Sequence, residues 1–151
     1  MTVLFLDIDG VLNNYEALKR DPQLDPVCVG VLNDLVEALD AQIVVSSSWR
    51  FFCSLDEIRS LLAAHGLVNP VRVIDATPCL EEKRGDRYFS QPRGVEIQAW
   101  LSAHPEVARF VILDDDADMC HLTPHLVRTS MANGLTWHHK RHVHAVLGEK
   151  P

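Results

Sequence analysis

Val3-Leu4-Phe5-Leu6-Asp7-Ile8-Asp9-Gly10-Val11 opens the chain and decides how the rest is understood. The four apolar residues suit a strand buried on both faces, the kind found in parallel sheets. Two carboxylates follow, one residue apart, and then a glycine whose backbone is free to turn sharply. Acidic groups at the carboxyl end of a buried strand stand where open α/β sheets bind their ligands. The pattern recurs downstream. Gln42-Ile43-Val44-Val45 runs into Ser46-Ser47-Ser48-Trp49-Arg50, and Phe110-Val111-Ile112-Leu113 runs into Asp114-Asp115-Asp116. Val71–Ile74 and Leu126–Thr129 complete five expected strands.

Helical signals fall between these runs. Asp25-Pro26 supplies an N-cap and a proline suited to the first helical position, and Val27, Val31, Leu32, Leu35, Val36 and Leu39 follow with helical spacing. Ser54-Leu55-Asp56-Glu57 is a capping box ahead of Ile58, Leu61 and Leu62, with Gly66 as the stop. Ile97, Trp100 and Leu101 mark another helix, and 137–147 is a weaker candidate. Residues 78–92, with Pro78, Gly85, Pro92 and six clustered charges, read as a surface loop. Alternating strands and helices predict an α/β protein: one domain over 1–151, three layers, Rossmann-like, with a central, mostly parallel sheet and helices on both faces.

Composition narrows the function classes. At 47% apolar and 23% charged residues the chain has the make-up of a globular protein. Fourteen basic against 21 acidic residues give a charge of −7, so no strong affinity for nucleic acid is expected from net charge. Cys28, Cys53, Cys79 and Cys120 form no CxxC pair and are expected as free thiols in a reducing cytoplasm. The first strand begins almost at residue 1, which does not suit a signal peptide, and no apolar stretch has the length of a membrane span. A cytoplasmic protein without membrane contact is the expectation.

The chemistry collects at three strand ends: Asp7 and Asp9, Ser46 to Ser48, and Asp114 to Asp116. Four or more acidic groups so close are costly unless a cation neutralises them or they share protons. A hard divalent ion with oxygen ligands answers this, and Mg2+ also accepts substrate phosphate as a ligand. Asp116 and Asp118 have ordinary alternatives as turn or cap residues. Trp49 and Trp100 read as packing, Asn13 and Asn14 as turn-formers, and His138, His139, His142 and His144 as a solvated helix face.

Leu4–Val11, LFLDIDGV, resembles the first motif of haloacid dehalogenase-like phosphatases. The serines after the second run resemble the second motif, Arg93 at the head of a helix the third, and Ile112-Leu113-Asp114-Asp115 the fourth, all in order. DGVLN, SSSWR and ILDDDADM resemble more narrowly the small domains of this superfamily found in RNA-repair proteins. The resemblance implies a Mg2+-dependent phosphomonoester hydrolase. Asp7 would be the nucleophile that forms an aspartyl-phosphate, and Asp9 the acid and base, with Gly10 turning the loop. Asp7, the main-chain carbonyl of Asp9, and Asp114 or Asp115 would bind the metal. Ser47 and Arg93 would hold the phosphoryl group. Ser46 is the alternative to Ser47, one position away, and Arg50 is either a further phosphate ligand or a surface charge. Little or no cap is expected, because only Asn13–Asp25 and 78–92 are available for one. An open site suits a phosphorylated nucleotide, nucleic-acid end or protein as substrate. A phosphotransferase with the same intermediate, and a non-catalytic module on the same fold, are the alternatives.

Overall fold

The computed structural model describes residues 1–20 and 23–148. In chain order the strands are β1 (Thr2–Leu6), β2 (Gln42–Val45), β3 (Val73–Ala76), β4 (Glu81–Arg84), β5 (Arg87–Ser90), β6 (Arg109–Asp114) and β7 (Leu126–Arg128). The helices are α1 (Pro26–Ala38), α2 (Leu55–Ala64), α3 (Arg93–Ala103) and α4 (Trp137–Val146). Five strands form one sheet in the order β3-β2-β1-β6-β7, every pair parallel. The most apolar strand, β1, sits at its centre with all five residues buried. The fold is the expected Rossmann-like α/β architecture.

Strand residues alternate between faces, so the two sides of the sheet build separate cores. Leu4, Leu6, Ile43, Val45, Val111 and Leu113 pack with α1, α2 and α4. Val3, Phe5, Val44 and Ile112 pack with Ile97 and Trp100 of α3 and with Met119 and Leu122. The Phe5 ring meets Trp100 and Phe110 edge-on at 5.5 and 5.8 Å. Helix starts are set locally. Asp25 accepts from the Val27 amide at 2.8 Å ahead of Pro26, and Ser54 and Glu57 form a complete capping box.

Register places the chemistry. Leu6 lies opposite both Val45 and Leu113, so the next residues along the three neighbouring strands, Asp7, Ser46 and Asp114, emerge at one height.

Two expectations are corrected. The third strand begins at Val73, because Pro70–Arg72 form a 3-10 turn. Residues 78–92 are not an irregular loop: β4 and β5 pair as an antiparallel hairpin around Gly85, whose φ is +62°. All eight strand residues are exposed, which erased the apolar alternation that would have announced them.

The hairpin is closed at its root by the Gln91 amide donating to the Leu80 carbonyl at 2.9 Å, the spacing of a four-residue turn once 81–90 are cut to two residues. Replacing 81–90 by Gly-Ser should therefore move the melting temperature by no more than about 2 °C, the scale of an exposed change in a domain of this size. Differential scanning calorimetry checks this; a loss of about 10 °C would mean that the ribbon supports the fold.

Candidate active site

Asp7, the first residue beyond β1, is 7% exposed and receives the Ile8 amide on Oδ1 at 2.8 Å. The Ser47 hydroxyl hydrogen-bonds to Asp7 and also receives the Trp49 amide at 3.3 Å. Ser47 therefore meets the aspartate, whereas the Ser46 hydroxyl is buried without a partner among the described residues. Asp7, Asp114 and Asp115 offer carboxylate oxygens that all lie within 4.8 Å of one another. Asp114 is fully buried; its Oδ1 accepts from the Asp116 amide at 2.9 Å, and its Oδ2 has no hydrogen-bond partner among the described residues.

Arg93 stands at the first turn of α3, 3.9 Å from Asp114 Oδ2 through Nε, and its Nη1 is buried without a hydrogen-bond partner among the described residues. Its helix carries no cap of its own at Pro92. Instead the Asp118 carboxylate accepts from the Arg93 amide at 3.0 Å, and the Asp118 carbonyl from the Gly94 amide at 3.1 Å. Gly94 is required there, because a Cβ would collide with the Met119 carbonyl. The turn after β6 thus fixes both Asp114 and the helix that carries Arg93.

Asp9 is not among the three acids whose oxygens converge, although its charge reaches Asp115. Its Oδ1 accepts from Asn13 Nδ2 at 2.8 Å and its Oδ2 from the Trp49 indole at 3.1 Å. Asn13 also takes the Gly10 amide at 2.8 Å, and Thr129 donates to the Gly10 carbonyl at 2.6 Å. Gly10 has φ +78°, and a Cβ on it would lie 2.5 Å from Cγ of Asp115. Asn13, Trp49, Thr129 and Asp118 were not expected at the site as contacts of these groups. Only the closeness of Asn13 and Trp49 to two motifs hinted at their place.

Arg50 is corrected. It is not a surface charge: its side chain is 4% exposed, and all three guanidinium nitrogens bond inward to protein groups. They reach the carbonyls of Ser46, Ser47 and Thr77 and the buried carboxylate of Glu96, whose other oxygen accepts from the Leu80 amide. Arg50 and Glu96 fasten the serine turn to α3. Between them, Arg93, Asp118 and the end of β5 lies a cleft of about 150 Å³.

The electrostatics suit a cation. Burial, then the charges of Asp7 and Asp115, push Asp114 up to about 8, against the Asp116 amide and Arg93. Burial raises Asp7 too, opposed by Arg93, the Ile8 amide and Ser47. Asp115 is raised first by burial and then by Asp116 and Asp9. Among the described residues, a buried carboxylate oxygen among three acids and a buried nitrogen of the neighbouring guanidinium both lack a hydrogen bond, so the chemistry of these groups fits a divalent cation and an anion together.

A five-stranded parallel sheet with acids on two central strand ends, a serine on a third and an arginine at a helix start defines a haloacid dehalogenase-like domain. The family model described as the HAD domain in Swiss Army Knife RNA repair proteins matches residues 3–139, and the chain belongs to that family. No curated protein and no solved structure matches it significantly. No helix among the described residues is long and apolar enough to cross a membrane.

The shift of Asp114 carries a sign. Its folded value lies above the ordinary 3.8, so its contribution to stability is complete below that pH and is lost as pH rises towards about 8. Chelator-treated Asp114→Asn protein should melt several degrees above the wild type at pH 8, with the gap closing near pH 4; Mg2+ should stabilise only the wild type. Thermal melts across pH, with and without Mg2+, check both. An Asp114→Asn protein less stable than the wild type at pH 8 would contradict the assignment.

Proposed function

We propose that the chain is a Mg2+-dependent phosphomonoester hydrolase working through an aspartyl-phosphate on Asp7. The observation that carries this is that, among the described residues, the buried Asp114 Oδ2 and the buried Nη1 of the neighbouring Arg93 both lack a hydrogen bond, with Asp7 and Asp115 in the same cluster of acids. Asp7, Asp114, Asp115 and the main-chain carbonyl of Asp9 would hold the cation. When bound, Mg2+ neutralises the three acids and draws charge from the phosphoryl oxygens.

A carboxylate oxygen of Asp7 attacks phosphorus in line while the bond from phosphorus to the ester oxygen breaks. The departing oxygen takes a proton from Asp9 and leaves as an alcohol. Water then gives a proton to Asp9 and its oxygen to phosphorus, the acyl-phosphate bond breaks, and inorganic phosphate departs. Asp7 is again a carboxylate and Asp9 again carries its proton. Arg93 and the Ser47 hydroxyl steady the non-bridging oxygens, whose charge is greatest in the transition state. A second acid at Asp9 favours transfer to water.

The substrate class follows from access. Between the motifs, the stretches available to cover the site are segment 13–25, of which Asp21 and Pro22 lie outside the described residues, and the thin β4–β5 ribbon. With so little chain available to cover it, the site suits a phosphate on a nucleotide or a nucleic-acid end, and membership in a family named for RNA repair favours the latter.

An aryl phosphate assay with Mg2+ should show turnover that EDTA abolishes and that Asp7→Asn lowers by at least about a thousandfold. Activity surviving either treatment would sink the mechanism. Oligonucleotides phosphorylated at the 5′ or 3′ end, compared with mononucleotides and phosphopeptides by kcat/KM, rank the substrate classes.

A further inference from the structure

We infer that Trp49 and Asn13 are positioning residues that aim the Asp9 carboxyl at the leaving-group oxygen, a role that rests on the hydrolase reading above. Asp7 and Asp9 are separated by one residue, yet only Asp7 joins the carboxylate cluster. What draws Asp9 aside is a pair of neutral donors, the Asn13 amide on one oxygen and the Trp49 indole on the other. Neither donor carries charge, so the carboxyl is located at both oxygens without an ion pair to occupy it. Each oxygen retains a second lone pair on which a proton can be carried.

Both donors are held independently of Asp9. Asn13 is fully buried, and its carbonyl oxygen takes the Gly10 amide, which fixes the amide plane. The Trp49 ring packs against the core beside Phe52 and is half-buried, while its backbone amide donates to the Ser47 hydroxyl. A chain of contacts therefore runs from Asp7 through Ser47 to Trp49, Asp9, Asn13 and Gly10. The turn that brings the hydroxyl to the phosphoryl group also sets the direction of the proton donor. A carboxyl released from this grip could swing towards Asp115 and a bound cation, and a displacement of about 1 Å is enough to cost roughly a hundredfold in rate.

Leaving-group basicity separates this role from general support of the fold. An alkyl phosphate needs its departing oxygen protonated, whereas 4-nitrophenolate leaves without help. In Trp49→Phe, which keeps the ring and removes the N–H, kcat/KM for a nucleoside monophosphate should fall about 30- to 100-fold and that for 4-nitrophenyl phosphate by about threefold or less. Asp9→Asn, itself selective for the alkyl ester, should lose little more when combined with Trp49→Phe, because the two act as one unit. Asn13→Asp keeps the acceptor for the Gly10 amide and replaces the donor. It should show the same selectivity should Trp49→Phe fail to fold, as judged by its melting curve. Equal falls on both esters, or none on the alkyl ester, would overturn the positioning role while leaving the hydrolase reading intact. A wild type inert towards both esters would sink the hydrolase reading, and the positioning role with it.

Discussion

Three carboxylates of like charge, Asp7, Asp114 and Asp115, are forced together because β1 and β6 are neighbours in register at the centre of the sheet. The apolar residues preceding them hold them there: Phe5 and Leu6 opposite Ile112 and Leu113 are all fully buried, and no slip of one residue would keep both cores intact. The repulsion is thus imposed by the hydrophobic effect, and the site relieves it only in part. Arg93 at 3.9 Å from Asp114 offsets some of the charge without forming a close ion pair. A site that leaves an acid and a base buried side by side and short of partners is built to receive charge of both signs.

A second buried pair does different work. Arg50 and Glu96 are both 4% exposed at the side chain, and removing either would leave the other charged and uncompensated in the interior. Such pairs add little net stability over apolar residues of similar shape. What this one supplies is location: one guanidinium collects the carbonyls of Ser46, Ser47 and Thr77, and one carboxylate collects the Leu80 amide. The serine turn, the end of β3 and the root of the ribbon are thereby referred to α3, three residues along from Arg93. The distance between Ser47 and Arg93 depends on this clamp, although neither Arg50 nor Glu96 lies in the carboxylate cluster.

The sheet and the acidic motifs were legible in the sequence because burial on both faces demands continuous apolar runs, and those runs end where the chemistry begins. Helix starts were legible because Asp25-Pro26 and Ser54–Glu57 are local devices. The ribbon was not, since eight exposed residues carry no burial pattern. Arg50 was hard to place for a related reason: an arginine after a strand end beside serines suggests an anion, and only the fold reveals Glu96, 46 residues away, as its partner. Asp118 likewise caps a helix that begins 25 residues before it. Contacts across such separations leave no spacing to read.

Asp7 and Asp9 show how one short motif yields two chemically distinct acids. Both follow the same strand, but the chain turns at Gly10, where φ is +78° and where the side chain of Asp115 occupies the space a Cβ would need. The turn lets Asn13 reach back to both Gly10 and Asp9. Asp7 lies in the cluster with Asp114 and Asp115 and feels the charge of Arg93, while both oxygens of Asp9 are held by neutral donors. Burial works against the ionised form of Asp7, and Arg93, the Ile8 amide and the Ser47 hydroxyl work for it; Asp9 is fixed in direction at both oxygens. Substituting Gly10 would disturb the turn that follows both aspartates, through a clash with Asp115 that involves neither Asp7 nor Asp9.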